Sequence, residues 1–138
     1  MKILEILTPR RILGNFGERA AAKYLRKQKY KIIDKNFVAE NAEIDIIAKD
    51  GETTVFVEVK TRSFSEPTPT TYRPASAVTH EKQRKIIECA RAYLARYGTG
   101  RVRFDVVEVY TEGKAPHFKI KEIKHIIAAF DKSTAYSR

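Results

Sequence analysis

Hydrophobic and polar positions along the chain predict alternating helices and strands. From residue 15 to residue 29, apolar residues recur at helical spacing, and Asn15 and Glu18 stand in the positions of a capping box. A second helix is predicted from Thr79, with the same spacing until Gly98 ends it. Strands are predicted at 30–37, 42–60 (a hairpin) and 102–110.

The remaining segments predict less regular structure. Residues 1–14 have the pattern of a loosely attached arm, because Pro9 opposes one continuous helix. Residues 61–77 are rich in Ser, Thr and Pro, which is typical of a long mobile loop. Near the end, residues 118–120 suggest an edge strand and residues 123–130 a terminal helix. The predicted order is therefore αβββαβ, in a single domain over residues 1–138.

The central hairpin brings acidic residues together. Its two β-rich runs flank an Asp-Gly turn signal, and alternation places Glu58 and Lys60 on the same face. A two-residue Asp-Gly turn would put Glu43 opposite Glu58, whereas a four-residue loop would put Asp45 there. In either register, Asp45, Glu58 and Lys60 share one face, and a loop of three residues would break this arrangement.

Carboxylates gathered in this way predict a cation between them, since adjacent carboxylates resist joint ionisation. Mg²⁺, or Mn²⁺, prefers such oxygen ligands, can polarise a phosphoryl group and can lower the pKa of a bound water. Lys60 would then orient that water or stabilise developing negative charge. The alternative is a solvent-facing strand whose cross-strand charge pair contributes about 0.2–1 kcal/mol. The hairpin alone leaves both interpretations open.

Composition limits the number of domains, the location of the protein and its cysteine chemistry. The chain has 138 residues, 43% of them hydrophobic, which suits one packed domain. No apolar run approaches the roughly 20 residues of a membrane helix, and the N-terminus lacks a signal-peptide pattern, so we expect a cytoplasmic protein without a membrane partner. The single cysteine, Cys89, excludes an internal disulfide and is expected in a buried helix position.

A formal net charge of +10 favours a polyanionic partner, and nucleic acid is the leading candidate. Arg62 and Arg73 accompany the proline-rich loop, while Lys82 and Arg84 lie in the first turns of the second helix, from which they could reach phosphates. A solvated basic face and a loop without function are the alternatives. Asp105, inside a predicted strand, is expected to pair with a buried basic group.

The element order and the acidic motif together resemble the PD-(D/E)XK nuclease superfamily, with Asp45 on the second strand and Glu58-Val59-Lys60 on the third. More narrowly, the chain resembles the uncharacterised YraN-like bacterial family. That resemblance rests on five motifs: Gly17-Glu18-Arg19-Ala20-Ala21, Glu43-Ile44-Asp45-Ile46-Ile47, Val55-Phe56-Val57-Glu58-Val59-Lys60-Thr61-Arg62, Lys82-Gln83-Arg84-Lys85 and Arg103-Phe104-Asp105-Val106-Val107. Two departures are Ala42, where the family usually has glycine, and the proline-rich loop, which lacks the usual Phe-Gly pair.

The resemblance implies a restriction-endonuclease-like α/β fold, with a mixed central sheet flanked by helices, and similarity to archaeal Holliday-junction resolvases. It implies that Asp45 and Glu58 are metal ligands, that Lys60 is the catalytic lysine and that Glu18 is an additional acidic residue of the metal site. Glu18 as a helix cap is the alternative. Glu43 would bind a second metal or pair with a basic neighbour.

The expected function is therefore an endonuclease that depends on Mg²⁺ or Mn²⁺ and hydrolyses DNA, with branched or junction DNA as candidate substrates. A non-catalytic nucleic-acid-binding module of a repair or processing assembly is the alternative, and a scaffold without a nucleic acid partner is a third. By analogy, a junction enzyme needs two symmetric sites, which suggests a homodimer.

Overall fold

The computed structural model describes residues 8–63, 78–98 and 100–137. Its elements follow in chain order: α1 Pro9–Lys27, β1 Lys31–Ala39, β2 Ala42–Asp50, β3 Thr53–Ser63, α2 His80–Tyr97, β4 Val102–Lys114, β5 His117–Phe130 and α3 Lys132–Ala135. Among the described residues, no helix combines the length and the apolar character that a membrane crossing requires.

The five strands form one mixed sheet in the order β1-β2-β3-β4-β5. Strands β3 and β4 pair in parallel and every other neighbouring pair is antiparallel. A parallel pair needs a crossover connection, and α2 lies in the segment that joins β3 to β4. The predicted αβββαβ order and fold class are confirmed, and the architecture is consistent with a restriction-endonuclease-like fold.

Each face of the sheet packs against a helix. Val55 and Val57 of β3 join the core cluster of α1, which includes Leu25, whereas Phe56 joins the cluster of α2, which includes Ile86. This alternation is the period-2 arrangement of side chains along a strand. Cys89 is buried in α2, as predicted. The sheet is therefore covered on both sides, and its loops and strand ends are left for a site.

Helix α1 begins earlier than the sequence pattern predicted. Thr8 caps it, with the Thr8 hydroxyl accepting a hydrogen bond from the Arg11 backbone N–H at 3.2 Å, and Pro9 occupies the first helical position. Proline suits that position because the N–H it lacks has no partner inside the helix. The predicted cap at Asn15 and the predicted arm over residues 1–14 are therefore wrong from residue 8 onwards; residues 1–7 lie outside the described part.

The C-terminal prediction also fails in part. Residues 117–130 form the long strand β5, and the terminal helix predicted over 123–130 is wrong. Strand β4 runs for 13 residues, and β5 supplies backbone hydrogen-bond partners along it. The predicted edge strand over 118–120 lies within β5. Of the predicted loop 61–77, residues 61–63 belong to β3, while residues 64–77 lie outside the described ranges.

The β2–β3 hairpin closes through a two-residue turn. Asp50 pairs with Thr53, and Gly51 takes the left-handed φ of +60° that such turns favour. This turn lies one residue later than the Asp-Gly signal suggested. The resulting register puts Asp45 level with Glu58, which is the pairing that a four-residue loop was expected to give.

Candidate active site

Asp45 lies where β2 separates from β3. The ladder between these strands ends at Ile46, and beyond it Asp45 Oδ2 accepts a hydrogen bond from the Val59 backbone N–H at 2.8 Å. The side-chain alternation changes at the same point, because Ile44 and Ile47 both pack in the α2 cluster while Ile46 packs with α1. The Asp45 side chain therefore replaces a missing backbone partner of β3, which fixes its carboxylate in the gap between the strands.

Three carboxylates converge at this gap. Glu18 of α1 and Glu43 and Asp45 of β2 can each place one oxygen within 4.8 Å of the others. Burial, Asp45 and Glu43 raise the pKa of Glu18 above its ordinary value. Burial also raises the pKa of Asp45, against the lowering effect of the bond from Val59. We call Glu18, Glu43 and Asp45 the carboxylate group.

Glu18 reaches this group because α1 lies very close to β3. Gly17 is buried, and a Cβ at its position would collide with the Thr61 side chain. Only glycine leaves room for this approach. Since α1 begins at Pro9, Glu18 is in the middle of the helix and has no capping role. The alternative that Glu18 serves as a cap is therefore excluded.

Glu58 and Lys60 extend the site along β3. Glu58 is only 6% exposed, and its Oε1 lies 3.8 Å from Lys60 Nζ. Its other carboxylate oxygen, Oε2, is buried and has no hydrogen-bond partner among the described residues. Burial and the nearby Asp45 raise the pKa of Glu58 to about 7. A buried carboxylate oxygen without a partner is costly, unless a cation or donor binds there.

Lys82 approaches the same carboxylates from the start of α2. Thr79 caps this helix and accepts a hydrogen bond from the Lys82 backbone N–H at 3.1 Å. Buried Gln83 donates from Nε2 to the Val78 carbonyl at 2.9 Å, which ties the helix start to the preceding segment. The charge of Lys82 lowers the pKa values of both Asp45 and Glu58. Lys82 is therefore brought to the site, as its position in the sequence had suggested.

The other basic residues proposed from the sequence as nucleic-acid contacts differ in position. Arg62 lies on β3, two residues beyond Lys60, and lines a cleft of about 590 Å³ that Glu18 also lines. Arg84 instead donates to the Ala135 carbonyl at 2.8 Å and lies over the Tyr136 ring, so it holds the C-terminal segment. Arg73 lies outside the described residues.

Sequence reasoning missed one side of the site. A cleft of about 510 Å³ beside Glu18 and Glu43 is also lined by Arg10, Arg11 and Asn15. These residues were assigned to an arm and a cap, although they lie in the first two turns of α1. Thr8 followed by Pro9 was the available signal, because this pair is typical of a helix start.

The donor set suits a hard divalent cation. All four acidic side chains offer oxygen, and the unpartnered Glu58 Oε2 is beside Asp45. Mg²⁺ and Mn²⁺ prefer such ligands, whereas zinc sites mostly use His and Cys. Among the described residues, no His or Cys joins this cluster of candidate metal ligands. Asp45 borders both Glu58 and the carboxylate group, so it is the residue that a bound metal would share.

Comparison with known proteins shows which family the chain matches and over which residues. Residues 17–109 match the family model described as uncharacterised protein family UPF0102. A UPF0102 protein of Geobacter metallireducens is 43% identical over 121 residues, which cover 86% of this chain and 92% of the relative. One from Caldanaerobacter subterraneus is 38% identical over 123 residues, or 88% and 96% of the two chains. Every acidic residue of the site falls inside the matched region.

Proposed function

The chain belongs to the uncharacterised protein family UPF0102, and we propose that it is a divalent-metal-dependent endonuclease of the PD-(D/E)XK superfamily that hydrolyses phosphodiester bonds in DNA. The observation that carries the proposal is the buried Glu58 Oε2, which lacks a partner beside Asp45. A strand with only a structural role has no need for a buried, unpartnered carboxylate oxygen beside a second carboxylate. Both features raise the free energy of the metal-free protein.

Asp45 and Glu58 would hold Mg²⁺ or Mn²⁺, with Glu18 and Glu43 as further oxygen ligands. The bound cation would polarise the phosphoryl group and lower the pKa of a water molecule. The hydrogen bond from the Val59 N–H fixes the Asp45 carboxylate before a metal binds. Metal binding therefore loses less side-chain entropy at Asp45.

Lys60 and Lys82 supply positive charge on two sides of these carboxylates. Lys60 is 30% exposed and lies beside Glu58, so its ammonium can hydrogen-bond an attacking water or stabilise negative charge that develops on the phosphate. Lys82, on the first turn of α2, is suited to binding a phosphate oxygen. The fixed positions of both residues follow from their elements, since neither lies on a loop.

Arg10 and Arg11 extend the positive surface from the carboxylate group along the start of α1. Together with the net charge of +10, they favour a polyanionic substrate whose backbone passes the two clefts beside Glu18. The choice of DNA, including branched DNA, rests on the resemblance to the nuclease superfamily.

The decisive experiment is cleavage of labelled single-stranded, duplex, flap and four-way-junction DNA with Mg²⁺ or Mn²⁺. Wild type is compared with Asp45→Asn, which keeps the shape of the side chain and removes its charge. We expect metal-dependent cleavage to fall by about 10²-fold or more, because the central oxygen ligand is weakened. Asp34→Asn, a change of a β1 carboxylate outside the site, should cut like wild type.

Equal cleavage by wild type and Asp45→Asn would contradict the proposal and would indicate a contaminating nuclease. DNA binding without cleavage by any variant would instead favour a non-catalytic binding module. A single-stranded and duplex RNA panel, run in parallel, decides between the two nucleic acids.

A further inference from the structure

A second basic cleft lies at the turn end of the β2–β3 hairpin, away from the carboxylate group. It has a volume of about 720 Å³. Its lining consists of four cations, one acid and two glycines: Lys29, Lys31, Lys49, Arg101, Glu52, Gly51 and Gly100. The excess of positive charge in a concave surface attracts anions.

Three chain segments converge to build this cleft. Helix α1 ends at Lys27, Lys29 takes a left-handed φ of +72°, and the chain then enters β1 at Lys31. The hairpin turn contributes its glycine. Arg101 precedes β4, and its carbonyl accepts a hydrogen bond from the Thr54 backbone N–H at 2.8 Å, which fixes it against β3. The cations are thus placed by ordered backbone.

The arrangement of charges is unfavourable in the protein alone. Lys31 and Lys49 are direct cross-strand partners, and like charges opposite each other destabilise a sheet. The nearby Asp50 carboxylate is bound by Arg103 at 2.9 Å, and Lys49 Nζ donates to the uncharged Thr54 hydroxyl at 2.8 Å. Within the described residues, neither member of this lysine pair forms an ion pair. An anionic ligand between them would remove the repulsion.

We propose that this cleft binds backbone phosphates of the nucleic acid substrate, about four nucleotides from the cleaved bond. Lys49 is four residues from Asp45 on β2, and a strand rises about 3.4 Å per residue, which gives a separation of about 14 Å. One DNA strand carries a phosphate about every 3.4 Å along the helix axis. For nucleic acid that runs parallel to β2, this length therefore corresponds to about four nucleotides.

The cleft is better suited to a polymer than to a free phosphate or mononucleotide. Lys29, Lys31 and Arg101 are exposed, so each contact to a single phosphate is weak. A polyanion that also contacts Lys82 and Arg10 beside the carboxylate group presents its next phosphates at high effective concentration. The inference therefore rests on the proposed function.

The test is the double variant Lys29→Gln/Lys31→Gln, compared with Arg91→Gln/Lys132→Gln. The control removes the same charge from α2 and α3, which do not line the cleft. Binding to the substrate preferred in the cleavage panel is measured in EDTA over a range of KCl. We expect the cleft variant to bind about 10-fold more weakly near 0.1 M salt, with a log–log salt slope about 1.8 less negative, since each lost phosphate contact contributes about 0.9. The control should change affinity less than 2-fold.

Thermal melting separates this role from a structural one. The cleft variant should melt no lower than wild type, because the change removes a like-charge pair. Neutral methylphosphonate linkages about four nucleotides from the cleavage position should weaken binding by wild type, with little further effect on the variant.

Equal affinity of the two double variants would overturn this inference while leaving the proposed nuclease function intact. Equal effects of methylphosphonates at every position would overturn the assigned distance. If wild type has no affinity for any nucleic acid at low salt, the proposed function and this inference both fail.

Discussion

Two buried carboxylates on neighbouring strands have opposite environments. Asp105 of β4 is level with Val57 of β3, and Glu58 is the next residue of β3, on the other face of the sheet. Asp105 is fully buried and accepts hydrogen bonds from Arg103 Nε at 2.9 Å and from the Ala128 backbone N–H at 3.0 Å. Both of its oxygens have partners.

Histidine and tyrosine complete the environment of Asp105. His125 Nε2 lies 2.8 Å from Asp105 Oδ2, and Arg103 also donates to the Tyr30 hydroxyl at 2.7 Å. Burial alone would raise the pKa of Asp105, but the hydrogen bonds from His125 and Arg103 lower it below its ordinary value. The prediction that Asp105 pairs with a buried basic group is confirmed.

Glu58 is almost as buried, but its Oε1 lies 3.8 Å from Lys60 Nζ. Burial and the neighbouring carboxyl of Asp45, with which it shares a hydrogen bond, raise the pKa of Glu58 to about 7. Asp105 is thus a carboxylate whose charge the fold neutralises, whereas the charge of Glu58 is compensated only in part, by Lys60 and Lys82. The first stabilises the sheet, whereas the second is suited to a ligand that arrives later.

The structural role of Asp105 is tested by Asp105→Asn. We expect the free energy of unfolding to fall by about 3–5 kcal/mol, because Arg103 and His125 both lose the buried carboxylate and Arg103 keeps only Asp50 near the surface. Chemical denaturation measures the loss. Glu112→Gln, an exposed change on the same strand, should stay within about 0.5 kcal/mol of wild type. An Asp105→Asn protein as stable as wild type would show that the network has no structural role.

Chemical denaturation of Glu58→Gln tests whether Glu58 has a different role from Asp105. Removal of a buried charge that is compensated only in part should leave the stability of the metal-free protein unchanged or higher. A loss comparable with that of Asp105→Asn would mean that the two carboxylates have the same role.

The approach of α1 to β3 is tested by Gly17→Ala. The added methyl group collides with Thr61, so we expect a loss of about 1–3 kcal/mol and a displaced Glu18. Cleavage per folded molecule should fall as well. Thr61→Gly in the Gly17→Ala background should restore the cleavage rate more than it restores stability, because glycine weakens a strand. An active and stable Gly17→Ala protein would exclude the close approach as a requirement.

The stability of the metal-free protein should depend weakly on pH through Glu58 and Asp45. The pKa values of Glu58 and Asp45 are raised by burial, so the folded state binds their protons more tightly than the unfolded state does. The resulting stability is present below about pH 4.5 and is lost as the pH rises through about 7.

Adding Mg²⁺ should therefore raise the melting temperature more at pH 8 than at pH 5, by a few °C, because protons compete with the metal for the same oxygens. Scanning calorimetry with Mg²⁺ or EDTA measures this difference, and Asp45→Asn should abolish it. An equal Mg²⁺ effect at both pH values would argue against binding at these carboxylates.

Most of the fold could be predicted from local sequence patterns. Alternation gave the hairpin, and helical spacing with the Thr79 cap and Gly98 gave α2. The 123–130 segment failed because its apolar spacing resembles a helix, while β4 needed a long antiparallel partner. The start of α1 failed because the spacing of apolar residues was given more weight than the Thr8-Pro9 helix start.

The candidate site, like the fold, could be predicted only in part from the sequence. Sequence alone determined which acidic and basic residues lie on which strand, because strand periodicity is local and the residue types carry the chemistry. Only the tertiary structure decided that Glu18 and Glu43 meet Asp45, and that Arg84 is held at the C-terminal segment. The position of Glu18 and Glu43 depends on how closely α1 approaches β3 and where β2 separates from β3. Both are set by packing between segments distant in the chain.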